Sequence, residues 1–223
     1  MSHNITVQGG KSVRLKTAGK YCDRDIVITA EGGTSNSINE FLEGTLEEID
    51  CDGCTTINSY FFYQNPGIKK VILKNVTSVG AYNFAYCDGL ESVDLPMATG
   101  SFGNYPFYHC DNLANVNVPY VTELGQYAFQ SCPKLTKLDF HTIEKFGNYA
   151  LRYTTSLETL ILRNTNVVVA RGSSVLSGSG IANKKGYIYV PSAMVEDYKS
   201  ATGWSAFASQ IRAIEDYPEI TGG

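Results

Sequence analysis

From Leu46 onward, apolar residues return at a fixed spacing. The chain divides at Leu46, Ile68, Leu90, Leu113, Leu135 and Leu157, at intervals of 22, 22, 23, 22 and 22 residues. Aligned at these cuts, five complete units share the template L-x-x-V-x-L-x-x-V-x-x-I-G-x-Y-A-F-x-x-C-x-x, and a sixth opens LETLILRNTNVVVA before it degenerates. The opening L-x-x-V-x-L alternates apolar and polar residues, as in Val116-Asn117-Val118, and predicts a short strand with one buried face. Leu73, Leu95, Val118, Phe140 and Leu162 are therefore expected to point into one core from parallel, adjacent strands. The mid-unit glycines Gly80, Gly125 and Gly147 predict a turn at positive φ. A later aromatic (Phe62, Phe84, Phe107, Phe129, with Leu151 in the fifth unit) supplies a second inward anchor. The third unit carries one extra residue around 100–102, so a bulge is expected there. A single 22-residue unit buries too little to offset the entropy of ordering it. Stacking shares core and backbone ladders between neighbours, which predicts a solenoid.

The two ends differ from the repeats. GYIYVPSAMVEDYKSATGWSAFASQIRAIED predicts a strand followed by short helices. Ser192 is the expected N-cap, Val195, Tyr198, Trp204, Phe207 and Ile211 form the expected apolar face, and Trp204 is read as core. Near the N-terminus, Val13 with Leu15 and Ile26 with Ile28 alternate around GKYCDRD and predict a β-hairpin. EGGTSNSIN reads as a flexible linker. The expected organisation is a hairpin attachment module at 1–33, a linker and N-terminal cap at 34–45, the repeats at 46–180 and a C-terminal cap at 181–223.

The phrase GQYAFQSCPKLTKLDF resembles the BspA-like (Treponema-type) leucine-rich repeats of bacterial surface antigens. That resemblance implies a mainly β leucine-rich-repeat solenoid of about six 22–23-residue repeats, and the C-terminal segment resembles the closing unit of the same family. It also implies adhesion or binding without catalytic residues, so no catalytic position is carried over. Separately, VRLKTAGKYCDRDIVITAEGG resembles a short module of structural proteins of prophages from gut Firmicutes. Together the two resemblances imply an attachment unit carrying a display domain, as in a phage-tail-associated or surface-displayed protein of a gut bacterium.

Charge narrows the partners. The net charge is −4, and the 18 Lys and Arg residues never run longer than two. Nucleic acid and anionic membranes both demand a dense basic patch, so neither is expected as a partner. No segment is apolar enough to span a membrane, and MSHNITVQGGKSVRLKT lacks the apolar stretch of a secretion signal. The expected locations are a virion, a cell surface or the cytoplasm.

Residues able to do chemistry fall into structural roles. Cys51 and Cys54 form a CDGC pair, yet they stand on template positions six and nine, which hold Leu73 and Val76 in the next unit. They read as core, with no second C-x-x-C to complete a zinc site. Cys87, Cys110 and Cys132 share one template position and are expected as free, buried, metal-free thiols. Cys22 lies outside the repeats. His3, His109 and His141 occupy unrelated positions, and no hydrolase pattern or G-x-S-x-G occurs. Asp50-x-Asp52-Gly53 lacks the later ligands of a calcium loop. No enzymatic activity, cofactor or metal is expected.

The exposed strand positions (two, three, five and seven) carry the functional reading. In the first three units charge alternates from rung to rung, so Glu47–Lys69–Glu91 and Asp52–Lys74 are expected to pair across strands. Later units break that pattern with Ala114, Asn115, Asn117, Lys137, Asp139, His141, Thr159, Ile161 and Arg163. Asn117, Asp139, His141, Ile161 and Arg163 are the candidate binding residues, read as uncomplemented, with Ile161 as an exposed apolar centre. Fifteen Tyr are present. Tyr60, Tyr82, Tyr105, Tyr127 and Tyr149 recur in register as an expected half-buried ladder. Tyr63, Tyr86, Tyr108 and Tyr153 are the irregular ones, and Tyr153 joins the candidate surface. The function expected is a non-catalytic binding or adhesion module for a protein or glycan on a cell surface, or for a virion component. The alternative is an intracellular protein–protein interaction solenoid, such as a phage-encoded regulator or inhibitor.

Overall fold

The computed structural model describes residues 13–17, 20–24, 46–51, 56–57 and 59–220, with side chains described at 56–57 and 59–220. Two strands precede the repeats, β1 (Val13–Thr17) and β2 (Lys20–Arg24). The first five repeats then contribute two strands each. In chain order these are β3 (Leu46–Cys51), β4 (Thr56–Ile57), β5 (Lys70–Ile72), β6 (Ser78–Val79), β7 (Ser92–Asp94), β8 (Gly100–Phe102), β9 (Asn115–Asn117), β10 (Val121–Leu124), β11 (Lys137–Phe140) and β12 (Lys145–Phe146). The sixth repeat and the closing region add β13 (Thr159–Leu162), β14 (Ala170–Arg171), β15 (Tyr187–Val190), α1 (Val195–Ser200) and β16 (Ile211–Ala213).

Each rung pairs in parallel with the next, so backbone groups that one unit leaves open are met by its neighbours. β3, β5, β7 and β9 form one parallel run, and β11, β13, β15 and β16 another. A second ladder on a different side of the coil joins β8, β10, β12 and β14. β1 pairs antiparallel with both β2 and β3, so the first strand of the solenoid has a partner on each side. Ile26, Ile28 and the linker lie outside the described residues, as do Cys54 and the side chains of Cys22, Cys51, Asp50 and Asp52.

The period-22 core is continuous. Leu73, Leu95, Val118, Phe140 and Leu162 are each no more than 2% exposed. Behind them Phe62, Phe84, Phe107 and Phe129 stack face to face, with ring centroids 4.8–5.1 Å apart. In the third unit the register between β8 and β10 shifts at Gly100–Ser101, and Gly100 has φ +69°, where the extra residue is accommodated.

The arc between the two ladders corrects the glycine expectation. None of Gly80, Gly125 and Gly147 has positive φ. Gly125 and Gly147 are required by close approach instead: a Cβ on Gly125 would strike the Gly103 carbonyl, and one on Gly147 would lie 2.6 Å from the Gln126 nitrogen. Positive φ falls two residues later, on Tyr82, Tyr105, Tyr127 and Tyr149 (φ 56–60°), with Tyr60 at 65° and Ser174 at 54° in the same column. A second such column holds Gln64, Tyr86, His109, Ser131, Tyr153 and Gly178. Left-handed backbone turns alternate N–H groups toward the following rung. Tyr82, Phe84 and Tyr86 thus donate to the Asn104, Pro106 and Tyr108 carbonyls at 2.8–2.9 Å.

The solenoid closes with α1 and the 3-10 turns around it. Trp204 is 1% exposed, and its Nε1 donates to the Val169 carbonyl at 2.7 Å. The Tyr198 hydroxyl accepts from the Val169 amide at 3.1 Å. Tyr198 and Ile211 are buried with Trp204, while Val195 and Phe207 are half-buried beside them. Arg171 lies over the Trp204 ring at 4.7 Å, and burial brings its pKa down to about 10. Ser192 does not cap α1. It opens a 3-10 turn of its own, Ser192–Met194, without a side-chain cap.

Candidate binding surface

Template positions three and five of each rung point away from the core, so the parallel strands present one outward face. That face is interrupted between β9 and β11, which no ladder joins among the described residues. Elsewhere the position-three amide donates backward: Asn115 to the Glu91 carbonyl and Thr159 to the Thr136 carbonyl, both at 3.1 Å. Lys137 makes no such bond to Ala114 among the described residues. Local chemistry explains the break. Asn115 and Asn117 are poor strand residues, and the outward side chains flanking the gap lean apart. Asn117 Nδ2 donates back to Asp94 Oδ1 at 2.7 Å, while Asp139 is drawn forward to Arg163. Val116 is consequently half-buried at a position that is buried in the flanking rungs.

An open groove of about 470 Å³ runs along this outward face across β5, β7, β9 and β11. It is lined by Lys70, Ile72, Asp94, Asn115, Asn117, Lys137 and Asp139, with the half-buried Val116 beneath them. Polar and charged side chains of both signs around a partly exposed apolar one are a makeup that recognition sites share.

Of the six residues singled out from the sequence, Asn117 and Asp139 line the groove. They are not uncomplemented, however. Asp139 accepts two hydrogen bonds from Arg163, through Nε and a terminal nitrogen, both at 2.8 Å. Those bonds push the guanidinium pKa above its ordinary value. His141 Nε2 stands 4.0 Å from Asp139, and its ring meets Tyr120 edge-on at 5.3 Å. Ile161 is fully buried and so is not an exposed apolar centre. Tyr153 lies on the arc rather than the sheet. It is 43% exposed, with Arg152 over its ring at 4.4 Å and Gly178 packed against the ring. The expected Lys69–Glu91 ion pair is not formed among the described residues, which join instead by backbone. The period places Asn115 and Lys137 on the outward face but does not show that the ladder is incomplete between them. The Asn-Val-Asn triplet is the signal for it.

The cysteine column is structural. Cys87, Cys110 and Cys132 are free and buried, and each thiol donates to a Phe carbonyl of the preceding rung (Phe62, Phe84 and Phe107) at 2.9–3.1 Å. Asn65, Thr154 and Ser179 fill the same position in the other units, all buried. Burial pushes the Cys87 thiol up to about 12, so it stays protonated at neutral pH. No cluster of His, Cys, Asp or Glu able to hold a metal occurs among the described residues.

Against known families, the BspA-type leucine-rich repeat model matches residues 52–178 in six copies, more than half of the chain. The chain belongs to the BspA-type leucine-rich repeat family. A leucine-rich repeat protein from Bacteroides ovatus, known from a crystal structure, is similar at 18% identity with a TM-score of 0.48. The similarity covers 72% of this chain and 42% of that one, so the chain spans less than half of that protein's length. No curated protein matches the chain. Among the described residues of this BspA-type protein, no helix is long and apolar enough to cross a membrane.

Proposed function

We propose that this BspA-type chain is a non-catalytic binding module whose outward sheet face, centred on the groove across β5, β7, β9 and β11, holds a protein or glycan ligand. The observation that carries the reading is the interrupted sheet. The ladder is left incomplete beside Asn115, Asn117 and Lys137, all exposed, where a solenoid built only for rigidity would complete it. In this reading residues 1–33 attach the solenoid to a larger assembly, a phage tail or a bacterial surface, and the repeats are displayed from it. The family supports binding over catalysis, and the paired Asp139 and Arg163 shape the rim rather than react.

The test is binding of the chain to arrays of glycans and of cell-surface proteins. Any ligand found is then titrated against Lys70→Ala, Asn115→Ala and Asn117→Ala, with Lys199→Ala on α1 as the control. Loss of roughly tenfold or more in the groove variants, about 1.4 kcal/mol, is the expected result. Unchanged affinity in all three places the ligand elsewhere.

A further inference from the structure

Residues 214–220 lie along the outward sheet face beside the groove. After β16, two 3-10 turns, Ile214–Asp216 and Pro218–Ile220, flank Tyr217. Glu215 Oε2 accepts from the Ser192 amide at 2.9 Å and anchors the start of this strap. The Tyr217 ring packs edge-on against Tyr189 at 5.4 Å, and the Ile220 carbonyl accepts from Lys137 Nζ at 2.6 Å. Tyr189 belongs to β15 and Lys137 to β11, so the segment between these contacts crosses β13. Its outward residues there are Thr159 and Ile161, whose register neighbours are Tyr187 and Tyr189 on one side and Lys137 and Asp139 on the other. The strap therefore explains why Ile161 is fully buried and Tyr189 only 7% exposed, although both stand at outward positions.

Its far end rests on Lys137, a lining residue of the groove. Groove and strap path thus form one track from β5 to β15. Past the Glu215 anchor, the strap meets the sheet through the Tyr217–Tyr189 ring pair and the Lys137–Ile220 hydrogen bond, and Pro218 and Glu219 are exposed. The strap's path has a cation at each end, Lys137 on β11 and Arg212 on β16, the register partner of Tyr189. It offers ring edges and an ammonium rather than open aromatic faces.

We propose that this track binds an extended peptide in which an aromatic residue is followed closely by an acidic and an aliphatic one, and that Tyr217-Pro218-Glu219-Ile220 occupies it in cis until such a peptide displaces it. The inference rests on the sheet face being the binding surface and names the ligand class. In the bound state the partner's ring seats on Tyr189, a backbone carbonyl meets Lys137, the aliphatic side chain lies toward β11, and the acidic group faces the track's cations.

The probe is a fluorescein-labelled peptide of residues 214–223, titrated into the full chain and into full-length Tyr217→Ala and Ile220→Gly variants, which loosen the strap. A tethered strap competes at an effective concentration on the order of millimolar, so both loosened variants should bind the peptide roughly tenfold or more tighter than the unchanged chain. Adding Lys137→Ala to Tyr217→Ala should weaken binding roughly fivefold, and a peptide carrying Ala in place of its tyrosine should not bind. Thermal midpoints of the loosened variants close to that of the unchanged chain establish that they fold. Equal binding to unchanged and loosened chains, no binding to either, or self-association of the loosened chain in place of peptide capture overturns the proposal. The sheet-face reading is decided independently, by the Lys70, Asn115 and Asn117 variants against an array-derived ligand.

Discussion

At the scale of the residue, the unusual feature is a tyrosine held repeatedly at positive φ. A non-glycine residue in that region costs on the order of 1–3 kcal/mol, yet five Tyr accept it in one column. Each internal ring is stacked on two neighbours, with centroids 4.5–5.0 Å apart, and each stacked pair contributes about 0.5–1.5 kcal/mol. The left-handed backbone is what aims those rings and N–H groups along the solenoid axis. Tyr127→Ala should therefore destabilise by about 1–3 kcal/mol, and Tyr127→Gly by less, because glycine adopts the backbone without strain. This is the reverse of the order expected in a helix or strand, and urea unfolding of the two variants decides it. The ladder itself could be read from the period; its backbone could not, because the template glycine two residues earlier is the obvious candidate for positive φ.

The thiols give a second residue-scale prediction. Burial raises Cys87 from about 9 to about 12 and Tyr198 from 10 to about 12. A raised folded pKa favours the protonated folded form, so this stability is complete below the unfolded pKa and is lost as pH rises toward the folded one. Urea midpoints should hold up to about pH 8 and fall between about pH 9 and 11, with a shallower fall in Cys87→Ser. The serine keeps a buried hydroxyl donor in place of the thiol, and Thr154, at the same template position, finds its acceptor in the Leu151 carbonyl of its own unit at 2.8 Å. A pH-independent midpoint would mean that the thiol is accessible to solvent.

At the scale of the element, strands and core were legible because the buried positions repeat every 22 residues, and a register fixed at one rung fixes the next. Two features of the candidate site were not legible. Ile161 reads as exposed from its own strand, but it is fully buried beside its register partner Tyr189, on which Tyr217 packs, and neither neighbour follows from the strand's own pattern. The Asp139–Arg163 pair escapes a comparison of equal template positions, because the long Arg163 side chain reaches diagonally from position seven to position five. The C-terminal cap was legible as an apolar cluster but not in its capping. Trp204 fills the end of the core, so Trp204→Ala should cost about 3–5 kcal/mol. In a stack whose units touch only neighbours, the loss should act locally. Amides on β13 and β15 should exchange faster in that variant while those on β5 and β7 stay unchanged. Uniform acceleration along the whole chain would contradict nearest-neighbour coupling.

For the whole molecule, repeats one to four and five to the cap form two parallel runs that share one hydrophobic core and one second ladder, but not one outward sheet. The continuous Phe stack and the β8–β10–β12–β14 ladder carry the solenoid past the gap, so opening the outward sheet does not divide the fold. That division of labour is what lets a repeat protein afford a groove in its middle, and the whole binding account depends on it. Residue-resolved amide hydrogen exchange on the unchanged chain tests it most directly. The account predicts strong protection at Asn115 and Thr159, whose amides are bonded across the sheet, and a local minimum at Lys137 between them. Protection at Lys137 equal to that of Asn115 and Thr159 would mean the sheet is closed between β9 and β11, and would contradict the account.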